Sequence, residues 1–372
     1  MRLISFPSPL PLLVPTLIIN SFSIIALVSA ENWLTAWVFI EIGLYSFIPI
    51  LMFTNKHIGF STQSRSAIIY FLSQTFGSLI FLIRILYLNY NPSNTAPLIV
   101  SALLIKLAAS PYHSWLPPAC AQITWPALFW LLTIQKLPAL VILHILNTTL
   151  ITNKLIYLIS ISVILSATLG GLGALGLNRL KPLLAYSSIN QTAWIIIASL
   201  HSFQLILLYF TAYTLTLLPI ILIINHYAHT NINSAPILNN ISIPTKALLT
   251  INFINLAGIP PTLIFALKTQ LLASIEASML NYWIFSALIL GVVITTYFYA
   301  QYSIIIFLTP LITPKILLKQ KYPPLTLYVT LLLLLGPIIL ILGNFLFYIN
   351  SLIKTRDFHP RDSLRINIIR IA

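Results

Sequence analysis

Four side chains can carry a proton and sit where charge is costly. They are Glu41 in WVFIEIGLYSFIPIL, Lys106 in SALLIKLAASP, Lys136 in FWLLTIQKLPAL and Lys268 in GIPPTLIFALKTQLL. Burial penalises a charged ammonium, so a lysine in apolar surroundings can release and regain its proton near neutral pH, and a nearby carboxylate or second lysine biases that exchange. A series of such groups at one depth is a proton path. His113, seven residues after Lys106 in KLAASPYHSW, adds an imidazole about two helical turns away, placed to relay protons between Lys106 and the surface. In the alternative reading the charges are purely structural, and Glu41 neutralises one lysine. One carboxylate cannot neutralise three amines, so at least two lysines stay unpaired or titrating.

The solvent around these groups decides their cost. Of 372 residues, 59% are hydrophobic and 6% charged, with a mean hydropathy of +0.97. Globular domains carry roughly 25% charged residues, so this chain cannot cover a water-facing surface. Low charge equally excludes disorder. The chain reads as a polytopic membrane protein in which each mid-span charge costs about 2.5 to 3.5 kcal/mol. Charges retained at that cost want a function or a partner.

Long stretches apolar on every side, each about 20 residues, suit membrane-crossing helices and not the alternating strands of a barrel. Eleven spans are expected, at 9–30, 33–53, 67–88, 97–116, 126–146, 155–177, 183–200, 203–227, 247–272, 283–310 and 324–350. The fold class is therefore an all-α bundle of about eleven transmembrane helices. Residues 1–350 form one domain, and 351–372 a polar basic tail. Pro111, Pro138 and the pair Pro260/Pro261 fall within eight residues of a buried lysine. Proline breaks the hydrogen-bond ladder, and broken backbone is tolerated at membrane depth where it borders protein or water. Lys268 is mid-span only if its helix runs to about residue 278.

The net charge of +14 is thinly scattered, with no basic face for nucleic acid. It reports topology instead. One face carries Arg2, Lys56, Arg65, Arg179, Lys181, Lys246, Lys315, Lys319 and Lys321, whereas the other loops carry Lys154, Glu31 and Glu276. By the positive-inside rule the first face, with the N-terminus, lies on the cytoplasmic or matrix side; the basic tail falls on the opposite face. Arg84, close to the end of its span, is expected to reach the interface. His144 and His226 read as core or interface residues. Cys120, the single cysteine, allows no internal disulfide, and no His or carboxylate pair has metal-ligand spacing. GLGALG (171–176) fits GxGxxG but ends a membrane span with no acidic residue about 20 positions on, so close helix packing is its expected role, not a nucleotide.

These elements, in order, resemble the chain 2 family of mitochondrial NADH–ubiquinone oxidoreductase, antiporter-like membrane subunits of respiratory complex I. WVFIEIGLYSFIPIL, AIIYFLSQ, KLAASPYHSWLP, LLTIQKLPA, RLKPLLAYSSINQTAW and LAGIPPTLIFALKTQ each match a family segment between about residues 33 and 305. Pro118 stands where the family usually has an acidic residue. Leu263 and Ile264 replace a threonine–glycine, and Leu267 a common proline. The resemblance implies that Glu41, Lys106, Lys136 and Lys268 are proton-translocating residues, with His113 as relay. It implies a hetero-oligomer with other membrane-arm subunits in the mitochondrial inner membrane, the basic face toward the matrix. It also implies that this chain binds no cofactor and holds no redox centre; NADH, FMN, iron–sulfur clusters and ubiquinone are used by other subunits. A stand-alone cation/proton antiporter and a non-pumping scaffold subunit are the alternatives.

Overall fold

The computed structural model describes residues 10–30, 32–53, 60–86, 92–149, 153–177, 179–230, 243–260, 262–275 and 279–308, with isolated positions 326 and 330. The expected span 324–350, the tail 351–372, Glu31, Glu276 and the lysines at 315, 319 and 321 lie outside the described residues. Every regular element among the described residues is helical, as backbone polar groups in lipid require. Eight helical stretches among the described residues are long and apolar enough to cross a membrane.

The first three helices, α1 (Leu10–Val28), α2 (Trp33–Phe53) and α3 (Phe60–Leu86), are continuous and pack side by side in chain order. α3 starts earlier than expected. Arg84, near its end, is buried in the chain and does not reach outward as the sequence suggested.

The three spans that carry Lys106, Lys136 and Lys268 are each divided. α4 (Pro92–Leu107) stops one residue past Lys106. Ala108 turns left-handed at φ 55°, and a cis Ser110–Pro111 bond leads through a 3₁₀ turn (Tyr112–Trp115) into α5 (Leu116–Gln122). The next span splits into α6 (Trp125–Leu132), a 3₁₀ turn (Ile134–Lys136) and α7 (Leu137–Thr149). Thr133 is the breaking residue, at φ −115° and ψ −86°. Pro138 follows; it lacks the N–H that the carbonyl of Ile134 would otherwise receive. The third divided span comprises α11 (Ile243–Ala257) and α12 (Leu263–Ser274), separated by Gly258 at φ +76° and Pro260. Lys268 is mid-helix in α12, though that helix ends at Ser274.

Four further helices run unbroken: α8 (Asn153–Leu172), α9 (Leu180–His201), α10 (Phe203–Thr230) and α13 (Met279–Leu308). α9 and α10 are joined only by extended Ser202. α9 is the axis of the bundle, buried from Leu183 to Ser199 except at Tyr186 and flanked by α5, α7, α8 and α10. Gly171 and Gly173 of GLGALG lie against Ile294 of α13 and the Tyr186 ring of α9, so the glycines serve close packing. Outer helices present Phe22, Leu72, Trp283 and Val293 outward, apolar side chains suited to lipid or another subunit.

Candidate functional site

Each helix break delivers one lysine to the interior. Lys106, in the last turn of α4, is 7% exposed, and its Nζ donates to the Gln74 carbonyl of α3 at 3.3 Å. Lys136, in the 3₁₀ turn, is 3% exposed and donates to the Ser188 carbonyl of α9 at 3.2 Å. Lys268, on α12, is also 3% exposed; it donates to the Ala257 carbonyl at 3.4 Å and sits 5.3 Å from the centre of the Trp194 ring. All three ammonium groups are thus held by a backbone carbonyl of another element. A carbonyl keeps an amine in place whether or not it is charged, because the neutral amine still donates.

Glu41, on α2, is buried and within electrostatic reach of Lys106 and Tyr70. Its Oε1 has no hydrogen-bond partner. No hydrogen bond fixes that oxygen to the lysine.

Between the first two lysines lies a small cavity with room for about one water. Tyr70, Gln74, Trp115 and Gln135 line it together with Lys106 and Lys136. A second cavity on the α1–α2 side shares Tyr70, Gln74, Lys106 and Gln135 and is bordered by Asn20. The walls are fixed by specific bonds. Tyr70 Oη donates to Gln135 Oε1 at 3.1 Å, and Trp115 Nε1 donates at 3.0 Å to the Ile105 carbonyl, which also accepts from the Ala108 N–H at the end of α4. Asn20 Nδ2 donates to the Gly43 carbonyl and to Ser46, while Trp130 Nε1 donates to Asn20 Oδ1.

His113 is half-buried in the 3₁₀ turn after α4. Its Nδ1 is hydrogen-bonded to Ser110 Oγ at 3.0 Å and its ring faces Tyr186 at 6.5 Å. It does not line the two cavities that hold Lys106. The structure thus brings Lys106, Lys136 and the influence of Glu41 together around water-sized space, places Lys268 beyond α9, and sets His113 apart toward one end. His144 Nδ1–H donates to the Ser199 carbonyl at 2.8 Å, and His226 rests on Tyr227 at 5.4 Å.

Reasoning from charge alone missed Tyr70, Gln74, Gln135 and Gln191. The available signal was the neutral polar residues inside spans: IQK beside Lys136, and SSINQT in α9, which is apolar on either side.

Comparisons with known proteins bear on the family and the fold. The family model for the transmembrane part of NADH:quinone oxidoreductase/Mrp antiporter proteins matches residues 89–296, which include Lys106, Lys136 and Lys268. The chain is 33% identical to NADH-ubiquinone oxidoreductase chain 2 of Anopheles gambiae, covering 78% of this chain and 85% of that relative. It is 32% identical to the same-named protein of Artemia franciscana, with 75% and 84% covered. Among solved structures, a chain of respiratory complex I from Thermus thermophilus superposes with a TM-score of 0.68 at 19% identity, covering 88% of this chain and 78% of that one. A chain of the Mrp complex from Dietzia sp. gives 0.69 at 14% identity, with 90% and 75% covered. At those identities the two superpositions establish a shared fold.

Proposed function

Because this chain belongs to the NADH-ubiquinone oxidoreductase chain 2 family, within the NADH:quinone oxidoreductase/Mrp antiporter group, we propose that it is an antiporter-like membrane-arm subunit of complex I that moves protons through Glu41, Lys106, Lys136 and Lys268. Its partners are the other membrane-arm subunits, and its setting is the mitochondrial inner membrane with the N-terminus on the matrix side. The chain holds no redox centre; NADH, FMN, iron–sulfur clusters and ubiquinone act in other subunits, and this one couples to them by electrostatic and conformational change.

One observation carries the proton-path reading: Lys106 and Lys136 share a water-sized cavity while each amine hangs from a backbone carbonyl. Two amines locked to carboxylates would stay charged. Amines held by neutral acceptors beside a water can exchange a proton between them. Glu41, poised near Lys106, supports its charged form when ionised and releases it when its own charge is screened or neutralised. A proton taken up at Lys106 passes through the cavity to Lys136, then across α9 to Lys268, and leaves on the side away from the matrix. His113 serves the surface end near Lys106.

The test is Lys106→Ala in a complex that assembles normally. Proton pumping per electron is expected to fall and turnover to drop roughly a hundredfold if the lysine acts as a general acid–base group. An unchanged proton-to-electron ratio and unchanged turnover would remove Lys106 from the path. Sodium exchange by the isolated chain without NADH would favour a stand-alone antiporter instead.

A further inference from the structure

Ser188, Gln191 and Trp194 recur every three residues along α9 and so line one side of it. Lys136 occupies one end of that side through the Ser188 carbonyl, and Lys268 the other through the Trp194 ring. Six residues of α9 separate these contacts, and the two amines hydrogen-bond to different carbonyls, of Ser188 and of Ala257.

Gln191 fills the interval. It is 2% exposed, its Oε1 accepts from Tyr209 Oη at 2.5 Å, and its Nε2 donates to the Leu256 carbonyl at 3.0 Å. Leu256 immediately precedes Ala257, whose carbonyl receives Lys268. One amide thus links the helix that holds Lys136, the tyrosine of α10 and the end of α11 that holds Lys268. A primary amide has two N–H donors and an oxygen with two lone pairs. The bonds described use one of each. Close by in the chain, Trp194 Nε1 and both polar atoms of the Asn255 side chain are buried without hydrogen-bond partners. Buried polar groups of this number call for small hydrogen-bonding molecules between them.

We propose that Gln191, held by Tyr209, is the positioning residue for proton transfer between Lys136 and Lys268; the inference rests on the reading of those lysines as proton carriers. The proton leaves Lys136 Nζ, passes along intervening water and binds Lys268 Nζ; no bond of the amide is made or broken. Gln191 fixes the spacing between α9 and the end of α11 and orients the intervening water with its second N–H and free lone pair.

The test compares Gln191→Leu, Gln191→Glu, Tyr209→Phe and, as reference, Lys136→Ala in the assembled complex. Gln191→Leu is expected to slow proton-coupled turnover roughly tenfold, the order associated with small misplacements of reacting groups, and to enlarge the solvent deuterium isotope effect. A protonated glutamate reproduces both bonds but lacks the second N–H, so Gln191→Glu recovers only part of the rate. Tyr209→Phe falls between, with the isotope effect still enlarged. Wild-type turnover, proton-to-electron ratio and isotope effect in Gln191→Leu would overturn the proposal; if that variant does not assemble, the same result in Tyr209→Phe does so. Equal losses in the Leu and Glu variants with no isotope change would also overturn it, by showing a packing role alone. Loss in Lys136→Ala beside silent Gln191 and Tyr209 variants would sink only this inference. Silence at all three would sink the carrier reading itself.

Discussion

The two intervals between neighbouring lysines use the same pair of side chains differently. From Lys106 to Lys136, Tyr70 donates to Gln135, and the amide borders a water-sized cavity with its Nε2 unbonded. From Lys136 to Lys268, Tyr209 donates to Gln191, and the amide is tied on both sides at the centre of the bundle. The first interval is loose and roomy; the second is clamped. For the proposed path, the difference teaches that the first transfer would rely on a water that finds its own place, whereas the second would depend on protein atoms keeping their places.

Variants can break or sharpen that contrast. The largest effect belongs to Lys136, which both intervals share: Lys136→Ala is expected to lower turnover about a hundredfold or more, measured as NADH-driven proton uptake by reconstituted vesicles. Gly258→Ala comes next. A left-handed φ costs a non-glycine residue about 1–2 kcal/mol, and the added Cβ would meet Lys268 Nζ at 3.0 Å. Pumping should fall through the clamped interval while complex assembly, followed by native gel, stays intact. The amides themselves give the direct comparison. Gln191→Leu strands Tyr209 Oη and the Leu256 carbonyl and is expected to cost about 1–3 kcal/mol in thermal inactivation. Gln135→Leu strands only Tyr70 Oη, so it should cost less. If the two cost the same, the contrast between the intervals is wrong. Tyr70→Phe is the smallest, expected within about 1 kcal/mol because its partner amide keeps access to water.

The lysines and the glutamate were legible in the sequence because charge in an apolar run is conspicuous and expensive. So were the breaks, since proline marks them locally at Pro111, Pro138 and the pair Pro260/Pro261. What the sequence hid was relative placement. Nothing in SSINQTAW says that Gln191 reaches the end of α11, because that contact spans 65 positions and depends on how α9, α10 and α11 pack. Arg84 misled for a related reason. Its distance from the helix end suggested an interfacial position, but burial is set by the neighbours of α3, which a one-dimensional reading does not contain. The nature of the breaks was hidden too: proline near Lys136 was expected to interrupt the helix, yet the irregular residue is Thr133, five positions earlier.

The end of α11 has one more property. Its last two carbonyls, at Leu256 and Ala257, are taken by an amide and by an ionisable amine. Helix C-termini carry partial negative charge, and a cation there contributes about 0.3–1 kcal/mol, up to about 2 when partly buried. The macrodipole of α11 is therefore balanced only while Lys268 is protonated. On the proposed reading of Lys268 as a proton carrier, loss of its proton would leave the bond in place but weaken the attraction, and the grip on this hinge would rise and fall with each proton carried.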